Sequence, residues 1–133
     1  MSPVHGIRGA TTADENTREA ILSATAELLT QLVAANSFVP EDLACAFFTV
    51  TPDLTAAFPG EAARVRLGWS DGAFLSATEI PVPDAPGRCI RVLLLVNAQQ
   101  QPTARPRHIY LKGAQGLRSR GLEGGPPGGF HAQ

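Results

Sequence analysis

Cys89-Ile90-Arg91-Val92-Leu93-Leu94-Leu95-Val96 is the stretch that decides the fold. It has the length of a strand and is apolar at odd and even positions alike, so it reads as a central strand buried on both faces. Arg91 interrupts it. A guanidinium stays charged, and burying it alone costs several kcal/mol (order of magnitude), so it needs an anionic partner. A core carboxylate would serve a structural role; a bound anion would serve a functional one.

Outward from this strand, the chain reads as a small α+β domain. At 133 residues, 44% hydrophobic and 17% charged, it is one globular unit. A subunit of this size has little room for a deep pocket, and sites in small α+β proteins often lie between subunits. The net charge of −1 offers no electrostatic footprint for nucleic acid or an anionic membrane. The start, Met1-Ser2-Pro3-Val4-His5-Gly6, has no signal pattern, and no apolar run reaches membrane-spanning length. Cys45 and Cys89 lie in apolar segments outside any metal or redox spacing, which predicts buried thiols in a cytoplasmic protein.

Val4 to Thr12 predicts a first strand, with Gly6 and Gly9 flanking Arg8 and permitting close backbone approach. Asn16-Thr17-Arg18-Glu19 has the form of a capping box with Asn16 as N-cap. The helix that follows runs to about Ala35, with Ile21, Leu22, Leu28, Leu29, Leu32 and Val33 on one stripe. Thr25 lies on that stripe and can bond back to the carbonyl four residues earlier.

Pro40-Glu41-Asp42 predicts a helical turn, and Leu43 to Thr51 a strand. A short helix is expected from Pro59 to Leu67, stopped by Gly68 and carrying Arg64 and Arg66. Ala73 to Ile80 predicts another strand, with Glu79 at its end; Arg107 to Lys112 predicts the last, bearing Tyr110. Asn97 to Pro106 reads as a loop. From Gly113 on, seven of 21 residues are glycine, so the tail is expected to be largely mobile in the free protein, with Leu117 and Arg118 able to order over a ligand.

No nucleophile elbow, HExxH, phosphate-binding loop or paired metal-ligand cluster is present, so no metal or cofactor site is expected. What remains is a set of arginines, one carboxylate and one phenol at strand ends and inside strands. That set suits an anionic ligand held by charge-assisted bonds.

These residues and their surroundings resemble the AroH-class chorismate mutases. The matching blocks are Gly6-Ile7-Arg8-Gly9-Ala10-Thr11-Thr12, Thr51-Pro52-Asp53-Leu54 to Phe58-Pro59, Glu79, Cys89-Ile90-Arg91-Val92 and Arg107-His108-Ile109-Tyr110-Leu111. Their order fits from the first strand to about Arg118. This gives a domain over 1–118 and a mobile Gly/Pro-rich tail over 119–133.

The resemblance implies a mixed sheet with helices on one side, three copies forming a barrel-like centre, and active sites between subunits. It implies a cofactor-free Claisen rearrangement of chorismate to prephenate. Arg91 would face the breaking ether oxygen and Glu79 the ring hydroxyl. Arg8 and Tyr110 would bind the enolpyruvyl carboxylate. Phe58, Arg64 and the edge Ala73, Phe74, Leu75 and Ser76 would come from the neighbouring subunit, while Leu117 and Arg118 would close the site. Glu61 stands where the family often has lysine, and Ser76 where some members have cysteine.

Two other readings compete. One is a RidA-like trimeric enamine/imine deaminase, against which the Gly6–Thr12 and Phe58-Pro59 blocks argue. The other is a non-catalytic binder of aromatic-pathway acids.

Overall fold

The computed structural model describes residues 4–97 and 105–117. In chain order its elements are β1 (Val4–Thr12), α1 (Arg18–Asn36), β2 (Leu43–Val50), α2 (Glu61–Leu67), β3 (Phe74–Thr78), β4 (Cys89–Asn97) and β5 (Ile109–Tyr110). Single 3-10 turns cover Pro40–Asp42 and Lys112–Ala114. The five strands form one mixed sheet in the order β3-β2-β4-β1-β5. The arginine-bearing strand β4 is the middle one, antiparallel to β1 and to β2.

Alternation along the strands sorts the side chains onto two faces. Ile7, Ala46, Phe48, Val92, Leu94 and Val96 share one core cluster with Leu28, Leu29 and Leu32 of α1 and Ala63 of α2. Both helices thus cover the same face. The opposite face carries Phe47, Leu75 and Leu93, which are 40%, 61% and 36% exposed. The expectation that β4 is buried on both faces therefore holds only in part for the single chain: on the second face Cys89 is buried and Leu93 is exposed, and among the described residues no helix covers that face.

Helix α1 begins one residue later than its sequence suggests. Thr17, not Asn16, is the N-cap, and its side chain accepts from the Ala20 N–H. Asn16 instead reaches across the chain: its Oδ1 accepts from the N–H groups of Thr55 and Ala56, and its Nδ2 donates to Thr55 Oγ1. Glu19 pairs with Arg66 of α2 at 2.7 Å. Thr25 donates to the Ile21 carbonyl at 2.7 Å, so its hydroxyl stays satisfied inside the apolar stripe. The helix stops at Ser37, which is left-handed with φ 53° and returns its N–H to the Val33 carbonyl.

Gly9 has a steric reason to be glycine. A Cβ there would come within 2.8 Å of Leu32 and 3.1 Å of Leu28, so β1 lies directly against α1. At Gly6 a Cβ would meet only ordinary contacts at 3.7 Å or more.

The last strand is shorter than expected. Asn36 captures the backbone of Arg107 in both directions, and Lys112, with φ 51°, turns the chain into the following 3-10 turn. That leaves Ile109 and Tyr110 to pair with Gly9 and Ala10. For Gly113 to Leu117 the expected looseness is not what the structure shows. Ala114 and Leu117 are buried in a cluster with Ala10 and Cys89, because β1 and β4 leave an apolar surface that this segment covers. Arg118 and the tail 119–133 lie outside the described residues. Cys89 is buried as expected, but Cys45 is only half-buried.

Candidate active site

Strand register alone brings the main candidates to one place. Arg91 on β4 pairs with Thr49 on β2 and with Ala10 on β1, and Ala10 pairs with Tyr110 on β5. Paired residues share a face, so Thr49, Arg91, Ala10 and Tyr110 form one row across four strands, on the side away from the helices. Arg8, two residues from Ala10 on β1, lies on the same face. The backbone hydrogen bond from Glu79 N–H to the Val50 carbonyl brings Glu79 to the near end of the row.

Glu79 Oε1 accepts a 2.6 Å hydrogen bond from Thr49 Oγ1 and lies 3.8 Å from Arg91 Nε. The second distance is an ionic contact rather than a hydrogen bond. Both charged side chains are about one-fifth exposed. They are sheltered enough to strengthen the attraction and open enough to meet a ligand. Thr49 escaped the sequence reading. Its signal was present only indirectly: in the predicted strand Leu43 to Thr51 it alternates with Phe48, but the register that sets it opposite Arg91 is not written locally.

Arg8 is held through its backbone. Its N–H donates to His108 Nδ1 at 3.0 Å, which makes Nδ1 an acceptor and fixes how β1 meets the segment leading into β5. Tyr110 is half-buried beside the cluster of Ala10, Cys89, Ala114 and Leu117. Leu117 is 1% exposed and packs in that cluster.

The remaining candidates lie elsewhere on the subunit. Phe58 and Ser76 line a cavity of about 580 Å³ between β3 and the segment from Leu54 to Glu61. The Asn16 bonds to Thr55 and Ala56 hold one wall of that cavity. Phe58 is 67% exposed. Of the edge strand, Ala73 is exposed, and Leu75 stands on the helix-free face opposite Phe47. Phe74 packs edge-on against Phe48 at 5.8 Å and so supports the core. Arg64 is exposed on α2. The chain thus brings Arg91, Glu79, Arg8 and Tyr110 together on one face. It holds Phe58 and Ser76 apart from them, because Ser76 points to the helix side of the sheet.

A connection between strands is also built with care. Asp53 accepts from Thr51 Oγ1 at 2.6 Å and from the Arg88 N–H at 2.9 Å. The Thr51 hydroxyl chiefly, helped by that N–H, holds the Asp53 carboxyl below the usual carboxylate range. Arg88 (φ 46°) then donates its Nε to the Ala13 carbonyl at 3.1 Å, just ahead of β4.

Fold and site define an α+β protein with a cation–carboxylate pair on an open sheet face, suited to a small anionic ligand. Comparison with known proteins makes the class specific. The chorismate mutase type I family signature matches residues 4–120. Chorismate mutase AroH of Thermus thermophilus is 52% identical over 116 residues, covering 86% of this chain and 93% of that protein. Chorismate mutase AroH of Bacillus subtilis (strain 168) is 38% identical over 109 residues, covering 82% and 85%. A solved chorismate mutase from Clostridium thermocellum superposes with a TM-score of 0.77 at 41% identity, covering 83% of this chain and 96% of that one. The chain belongs to the type I chorismate mutases, a family of isomerases.

Proposed function

We propose that this protein converts chorismate to prephenate by a Claisen rearrangement, as a cytoplasmic homotrimer with active sites between subunits. The observation that carries the reading is the Glu79–Thr49–Arg91 row on the open sheet face of a chain in this family. The rearrangement moves electrons within one molecule and transfers no proton to the protein. The site has only to fold the substrate into a reactive conformer and stabilise the charge that separates as the ether bond breaks.

In this mechanism Arg91 presents its guanidinium to the ether oxygen, which becomes more negative in the transition state. Thr49 holds the Glu79 carboxylate in place to accept from the ring hydroxyl. Arg8 and Tyr110 bind the enolpyruvyl carboxylate, beside the wall made by Leu117. Phe58, Arg64 and the strand edge Ala73, Leu75 and Ser76 complete the site from a neighbour, with Phe74 supporting that edge from behind. Arg118 would join Leu117 at the rim.

Two features support a composite site. The helix-free face exposes Phe47, Leu75 and Leu93, an apolar surface of the kind that an obligate interface covers. The cavity bearing Phe58 and Ser76 also lies at the β3 edge, and its lining includes neither Arg91 nor Glu79.

The test is to add chorismate and follow loss of its ultraviolet absorbance together with appearance of prephenate. Turnover, unchanged after exhaustive chelation, is the expected result. Binding without turnover would make the protein a sensor of aromatic-pathway acids. Turnover of an enamine in place of chorismate would identify a deaminase.

A further inference from the structure

The cavity that holds Phe58 and Ser76 has two charged residues in its lining, Arg18 and Glu61. Glu61 opens α2 and Arg18 opens α1. Their side chains meet at 3.1 Å between Arg18 Nη2 and Glu61 Oε1. Arg18 is 57% exposed and Glu61 28%, so the guanidinium is the more accessible partner.

Helix stability does not explain the arginine. The first turn of a 19-residue helix is the positive end of its dipole, where a cation is unfavourable. Packing does not explain it either, since most of the side chain is in solvent. At the cavity mouth, however, an unpaired Glu61 would repel any anionic ligand. Arg18 cancels that charge and leaves further guanidinium donors, out of five, to offer a carboxylate.

We propose that Arg18 is a substrate-binding residue of this chain. It would be the cation at the mouth of the Phe58 cavity that attracts and holds a carboxylate of the dianionic substrate, with Glu61 masking it until the ligand arrives. The proposal rests on the chorismate mutase reading and adds to it a residue at a position other than the central arginines. Because the Arg18–Glu61 pair is largely exposed, the effect is modest and acts on binding. Pairs of this kind change affinity by about two- to fivefold.

Steady-state kinetics on chorismate with four variants, at low and high salt, tests this. Arg18→Gln is expected to raise KM by about fivefold with kcat little changed, since it removes one attraction and uncovers Glu61. Arg18→Lys keeps the charge and should stay near the wild-type KM. Glu61→Gln should lower KM by about twofold, by unmasking Arg18. The double variant Arg18→Gln/Glu61→Gln should recover most of the loss seen in Arg18→Gln. Raised salt should weaken binding less in Arg18→Gln than in the wild type.

An Arg18→Gln enzyme with unchanged KM and salt dependence, altered only in melting temperature, would show that the pair is a structural strut and overturn the proposal. If the wild type binds chorismate without turning it over, calorimetric affinity replaces KM in the same comparison. A wild type that neither binds nor converts chorismate overturns this proposal together with the mutase reading, whereas normal turnover with an indifferent Arg18 overturns this proposal alone.

Discussion

Thr49 donates its hydroxyl hydrogen to Glu79 across 2.6 Å, and the oxygen that receives it is the one facing Arg91 at 3.8 Å. The hydroxyl therefore sets where the carboxylate sits relative to the guanidinium. Thr49→Val keeps the shape and removes the donor. A hydrogen bond to a charged group contributes about 1.5–3 kcal/mol when sheltered, and partial exposure here argues for the lower end, so kcat/KM should fall about tenfold. Thr49→Ser should restore most of it. Full activity in a folded Thr49→Val enzyme would mean that Glu79 is positioned without this bond.

Arg91→Gln keeps hydrogen-bonding capacity and loses the charge. Removing one neutral oxyanion donor typically costs about 10²–10³ in kcat, so loss of this sheltered cation should cost roughly 10³ or more. The change in KM should be much smaller, because in the proposed mechanism the interaction strengthens only as the ether bond breaks. Arg91→Lys should recover little, since a point ammonium does not reproduce the planar fork. A well-folded Arg91→Gln enzyme with near-normal kcat would reduce the residue to the core partner of Glu79.

Leu117→Ala should destabilise the fold by about 2–5 kcal/mol, the range for truncating a fully buried leucine, read as a shifted urea midpoint. Deleting everything after Gly113 should do at least as much, because it uncovers Ala10 and Cys89. Deletion after Gly121 should change neither stability nor kcat/KM. Equal stability for the full chain and the Gly113 truncation would contradict the burial of Leu117.

Asp53 gives the pH prediction. Its carboxyl is held below 3.8 in the folded protein and returns to about that value on unfolding. A depressed carboxylate contributes stability that is complete above 3.8 and is lost as pH falls through the lower, folded value. Asp53→Asn should therefore be less stable than wild type at neutral pH. The gap should close below pH 3.8, as denaturant midpoints across the acid range will show. A gap that persists at the acid end would assign the effect to lost hydrogen-bond geometry.

Leu93→Glu places a charge in the middle of the apolar sheet face. Light scattering should find a trimer for the wild type and a smaller species for this variant, with activity lost alongside. A fully active monomer at assay concentration would refute the shared site.

Periodicity and end signals determined the elements by themselves. The apolar stripe of α1, the β4 run around Arg91 and Gly68 as a helix stop are local facts, because propensity and alternation act over a few residues. The ordered blocks from Gly6 to Tyr110 likewise carried the family. Only the tertiary structure decided the rest. The choice of Thr17 over Asn16 as cap depended on Thr55 and Ala56, 39 and 40 residues away, which claim the Asn16 side chain. Burial of Leu117 depended on the surface that β1 and β4 expose. The alliance of Thr49 with Glu79, and of Arg18 with Glu61, depended on strand register and helix packing. Such contacts join residues tens of positions apart, and which partner wins is fixed by the whole sheet and its helices, not by the sequence on either side.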